Sequence, residues 1–109
     1  MDIDEVMTFL EEVYGEAKLE PFKDKTDWEV YRLAYTTQQE LAIRLTDDDH
    51  LWGSEATADM VLYSTIMKVW EKQIKNKTHG YVFPDAPEIN PDADDHVISG
   101  QVGTWANTM

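Results

Sequence analysis

Residues 56–76, ATADMVLYSTIMKVWEKQIKN, decide how this chain folds. At about 100° per residue, Met60, Leu62, Tyr63, Ile66, Met67, Val69, Trp70 and Ile74 share roughly half of a helical wheel. Lys68, Lys72 and Lys75 fall on the other half, at i, i+4 and i+7. No other stretch offers as much contiguous apolar surface. It is therefore expected to be the helix on which the rest packs.

Upstream, Thr26 and Glu29 have the spacing of a capping box ahead of residues 27–45. Two periods compete there. WEVYRLAYTT is rich in the β-branched and aromatic residues of strands, which leaves an α+β alternative with a short strand at 28–36. Carried to Leu45, the helical wheel gathers Trp28, Val30, Tyr31, Ala34, Tyr35, Leu41, Ala42 and Leu45 on one side. Only Leu33 and Ile43 lie off it, so the spacing predicts a helix over 27–45.

A third helix is expected over 3–14. Asp2 and Glu5 form a capping box, Ile3, Val6, Met7, Phe9, Leu10, Val13 and Tyr14 line one face, and Gly15 is the stop. Residues 15–26 connect the first two helices around Pro21. That link is long enough that Leu19 and Phe22 should dock on the body. Residues 46–56, TDDDHLWGSEA, form the second connection, with Ser54 or Thr57 as caps for the helix over 56–76.

Beyond Lys77 the composition changes. Residues 78–109 hold Pro84, Pro87 and Pro91, three of the five glycines, and neither lysine nor arginine. Proline here favours extended backbone. Tyr81–Phe83 reads as a short edge strand, and HVIS-GQ-VGTW as a small hairpin. The expected fold is thus mainly α: a three-helix body over 1–78 and an extended, proline-containing C-terminal arm over 79–109, in one domain.

The net charge of −13 is unevenly spread. Residues 1–20 carry seven acids against Lys18, while 47–59 and 79–109 carry five each with no base. Residues 21–46 balance four against four, and 60–78 is net +3. Such a field disfavours direct nucleic-acid binding and anionic membranes and favours basic partners. The absence of cysteine removes disulfides, thiolate nucleophiles and Cys-based zinc sites. The start, MDIDEVMTFL, is acidic where a signal peptide is basic, and no apolar run reaches spanning length. A cytoplasmic location is expected.

Motifs for chemistry are weak. Read as a calcium loop from Asp48, the chain places His50 and Trp52 where oxygen ligands belong. His50, His79 and His96 have no metal-ligand spacing. Asp94 or Asp95 could orient the His96 imidazole, but Ser54, Ser64 and Ser99 lie in no nucleophile motif. No catalytic residue, metal or cofactor is expected, and the chain reads as a non-enzyme. The lysines at 68, 72, 75 and 77 suit a helix C-terminus as well as any phosphate backbone.

Two functional classes remain. One is an assembly subunit, in a homo-oligomer or hetero-assembly, whose arm grips a neighbour through Tyr81, Val82, Phe83, Val97, Ile98 and Trp105, aided by Leu51 and Trp52. Trp105 would be its anchor, unless the arm instead wraps its own body. The other is a small acidic inhibitor of nucleic-acid-mimic type. It would present Glu11, Glu12, Asp47, Asp48, Asp49, Asp92, Asp94 and Asp95 to a basic surface. Short, acidic, cysteine-free, aromatic-rich chains are common among small phage-encoded proteins, which would place the chain in a host cytoplasm or a virion; no specific motif carries that likeness.

Overall fold

A computed structural model describes residues 1–47, 53–76 and 81–109. It is mainly helical, and the described residues contain no strand. The helices are α1 (Ile3–Tyr14), α2 (Glu16–Leu19), α3 (Asp27–Asp47), α4 (Ser54–Lys75) and α5 (Asp95–Ala106), with a 3-10 turn at Glu20–Phe22.

Local chemistry sets most of these boundaries. At α1 the Glu5 amide donates to Asp2 Oδ1 at 2.9 Å and the Asp2 amide donates to Glu5 Oε1 at 3.3 Å. The box is reciprocal, and it satisfies backbone donors that a helix start leaves open. Gly15 ends α1 with φ 96°, a backbone region that L side chains avoid. At α3 the Glu29 amide donates to Thr26 Oγ1 at 3.2 Å, and that hydroxyl donates to Glu29 Oε1 at 3.0 Å. The strand alternative at 28–36 is overturned, because those residues lie within α3. α4 begins at Ser54, with Gly53 as its cap and no side-chain capping bond.

α4 is the centre of the packing. α3 and α5 both pack along it, and α1 touches it as well. Leu62, Ile66 and Val69 are fully buried and Trp70 nearly so. Around them close Val6, Phe9 and Leu10 of α1, Val30 and Ala34 of α3, and Val102, Trp105 and Ala106 of α5. Leu19 and Phe22 are buried in the same core, as their long connection requires.

The largest difference from the sequence reading is α5. The stretch expected as a hairpin, His96–Trp105, is helical instead. Gly100 and Gly103 each lower helix propensity by about 1 kcal/mol relative to alanine, and Val97, Ile98 and Val102 are β-branched. Two terms offset them. Asp94 caps the helix, accepting from the Val97 amide at 2.9 Å. Ser99, Val102, Trp105 and Ala106 then fall on one buried face. The C-terminal region is therefore not a wholly extended arm. It is an extended segment, 81–90, a turn, and a helix that completes the core.

The extended segment is tied down. The Phe83 amide donates to the Met1 carbonyl at 2.8 Å and the Met1 nitrogen donates to the Phe83 carbonyl at 2.7 Å. This reciprocal exchange is the unit of an antiparallel ladder, without a strand being formed. The Trp105 indole donates to the Pro84 carbonyl at 3.1 Å, and its ring meets Phe9 edge-on at 5.4 Å between centroids.

These contacts give an expected outcome for two substitutions. Trp105→Ala should lower stability by about 3–5 kcal/mol, since it removes a buried indole and leaves a cavity. Asp94→Ala should lower it by about 1 kcal/mol through loss of the cap. Chemical denaturation of both variants checks the pair, and a Trp105 variant as stable as the parent would contradict this placement.

Candidate interaction surfaces

The residues expected to grip a neighbour divide into two groups. Phe83 and Trp105 are 2% and 5% exposed, inside the chain's own core. Tyr81 and Ile98 are half-buried against it. The indole expected to anchor a neighbour is instead buried within its own chain, its ring against Phe9 and its N–H on the Pro84 carbonyl. Val82 and Val97 remain open, at 75% and 48% exposed. Leu51 and Trp52 lie outside the described residues.

The described acids proposed for a basic partner are distributed over α1, the end of α3 and the start of α5. Glu12 of α1 is exposed, as are Asp47 at the end of α3 and Asp92, Asp94 and Asp95 around the start of α5. Glu11 is half-buried, and Lys23 Nζ lies 3.8 Å from its carboxylate. Asp48 and Asp49 lie outside the described residues. An open groove of about 470 Å³ between α1 and the extended segment is also acidic. Asp2, Asp4, Glu5 and Glu12 line it, with Phe9 and Ala86 at its floor.

The lysines of α4 turn to their own chain. Lys68 donates to Asn107 Oδ1 at 2.7 Å, and Lys72 sits 5.6 Å from the Tyr81 ring centroid in a cation–π contact. Lys75 pairs with Glu71 one turn earlier, at 2.7 Å. Lys77 lies outside the described residues. Two of these lysines thus fasten the C-terminal segment to α4.

The histidine and calcium-loop readings gain little. His50, His79 and most of the loop from Asp48 lie outside the described residues. His96 is exposed on α5, and the Asp94 carboxylate serves the helix cap. Among the described residues no three His, Asp or Glu side chains gather closely enough to hold a metal ion.

A small polar cleft of about 140 Å³ lies where α1, α4 and α5 meet, lined by Tyr14, Lys18, Asp59, Asp95 and Ser99 among others. Lys18 donates to Asp59 at 2.9 Å, which holds its ammonium above the usual lysine pKa. Burial pushes the Tyr14 phenol up to about 12; Ser99 opposes the shift and the Asp59 charge adds to it.

The surface that sequence reasoning missed is the outer side of α3. This helix packs on α4, and Val30, Ala34, Leu41 and Leu45 face inward. Trp28, Tyr35 and Ile43 face outward at 57%, 49% and 60% exposure. Trp28 stacks on half-buried Tyr31, with centroids 5.7 Å apart and planes 18° from parallel. The signal was in the wheel. The apolar arc of α3 spans about half the circle or more, wider than one neighbouring helix covers, so its edge stays in solvent.

Among the described residues no helix is long and apolar enough to cross a membrane. No protein family, characterised protein or solved structure proved significantly similar to the chain. The fold and its surfaces define a small, mainly α-helical protein with a tied-down C-terminal segment.

The Tyr14 environment makes stability depend on alkaline pH. Its folded-state pKa lies above the ordinary 10.0, so its contribution is complete below pH 10 and is lost as pH rises toward 12. Urea denaturation across that interval should show the parent losing stability faster than Tyr14→Phe. Parallel losses would mean that another group titrates.

Proposed function

We propose that this protein is a non-catalytic interaction subunit whose contact surface is the outer face of α3. The observation that carries the reading is the exposure of Trp28, Tyr35 and Ile43 along one side of a helix whose other side is packed. Exposed aromatics on a rigid helix give a partner large contact area at small entropic cost. The C-terminal segment, first expected to supply the contact, supports the reading indirectly. Its large side chains are used inside, and it makes α4, and through α4 the platform under α3, rigid.

A second reading has one feature in its favour. The groove lined by Asp2, Asp4, Glu5 and Glu12 offers negative charge to a basic protein surface, as an acidic inhibitor would. The two readings place the partner on different sides of the molecule and respond oppositely to salt. Charge-led binding weakens as ionic strength rises, whereas an apolar α3 contact holds or strengthens.

A photo-crosslinking residue at Tyr35, and separately at Glu12, in cells that naturally make the protein tests both. Tyr35 should yield a discrete crosslinked species that persists in high salt, with little from Glu12. Crosslinks from Glu12 alone, lost in high salt, would replace the α3 reading with the inhibitor.

A further inference from the structure

We infer that the partner on α3 is a second copy of this chain, docked antiparallel about a two-fold axis. The inference rests on the α3 reading and deepens it.

The face is built for self-pairing. Trp28, Arg32, Tyr35, Gln39 and Ile43 are all exposed and follow one another at steps of four, three, four and four residues. That is the spacing of a seam that meets another helix along its length. An isologous contact places residue i against residue j and j against i. With the axis between Tyr35 and Thr36, Trp28 of one copy lies against Ile43 of the second, and the reverse. The two Tyr35 rings come together near the axis. Arg32 meets Gln39 and Glu40 of the second copy, twice over, so each guanidinium gains a carboxylate.

Charge argues for the same occupant. A chain of net charge −13 repels its own copies over most of its surface. Residues 21–46, which include nearly all of α3, are the charge-balanced part, with four acids against four bases. The exposed charges on and beside the stripe are Glu29, Arg32, Glu40, Arg44 and Asp47, three acids against two bases. A second copy meets a far weaker field of its own sign here than on the acidic surfaces around α1. A strongly basic partner would find its complement on α1 instead.

Size sets the expected strength. A helix of 21 residues is about 31 Å long, so one helix pair buries less than the ~800 Å² per partner of a standard interface. A reversible dimer with a dissociation constant of about micromolar order is expected, not a permanent one.

Analytical ultracentrifugation of the full chain is the test, with circular dichroism to verify that each variant stays folded. All the substituted side chains are exposed, so folding should persist. The parent should show a monomer–dimer equilibrium that tightens as salt screens the net charge. Ile43→Asp should weaken it about tenfold or more, since it buries a charge against Trp28. R32E and E40R should each be monomeric alone, because like charges then face each other twice. Mixed in equal amounts they should form a heterodimer, since Glu at 32 then faces Arg at 40 and Arg32 faces Glu40. A parent that stays monomeric at every salt concentration would overturn the second copy; a Tyr35 crosslink to a different protein would then still uphold the α3 surface. A dimer indifferent to I43D and to both charge variants would remove α3 from the interface and with it the α3 reading.

Discussion

Everything in this fold depends on covering α4 from more than one side. Leu62, Ile66, Val69 and Trp70 spread over too wide an arc for one neighbour, and a chain of 109 residues has few elements to spare. α3 and α5 both pack on it, and α1 and the buried side chains Leu19 and Phe22 join the same core. A helix with two glycines and four β-branched residues is a poor helix by itself. It forms because α4 rewards the conformation that buries Val102, Trp105 and Ala106 together.

The extended segment links this packing to the N-terminal end of α1. Phe83 exchanges two backbone hydrogen bonds with Met1, while the next residue, Pro84, receives the Trp105 indole. Proline restricts the unfolded chain, so ordering this segment costs less conformational entropy than a flexible sequence would. Lys72 over the Tyr81 ring and Lys68 on Asn107 add contacts from α4. The aromatic side chains that looked superfluous in a tail are therefore buried or half-buried in the chain's own core.

Charge is distributed in step with that division. Acids dominate α1, the extended segment and the start of α5. Residues 21–46 balance four acids against four bases, and there Trp28, Tyr35 and Ile43 are left outside. A balanced, partly apolar face on a strongly acidic molecule is the region where close approach by another protein meets least electrostatic opposition.

The sequence by itself determined α1, α3 and α4. Reciprocal caps at Asp2–Glu5 and Thr26–Glu29, the Gly15 stop and a sustained period near 3.6 are local signals, and local hydrogen bonds satisfy them whatever lies beyond. Of the candidate surfaces, the acids and their uneven spread were equally legible. Only the tertiary structure decided the rest. Whether 95–106 becomes helix or hairpin turns on which face α4 leaves open. Whether Trp105 points inward and Trp28 and Tyr35 outward turns on how much of each apolar arc one neighbouring helix can cover. On the wheel of α3, Trp28 and Tyr35 lie at one edge of the apolar arc and Val30 and Ala34 well away from that edge, but the wheel does not say how far the cover reaches. The separation arises from packing, where a helix hides the arc that meets its neighbour and leaves the edges in water.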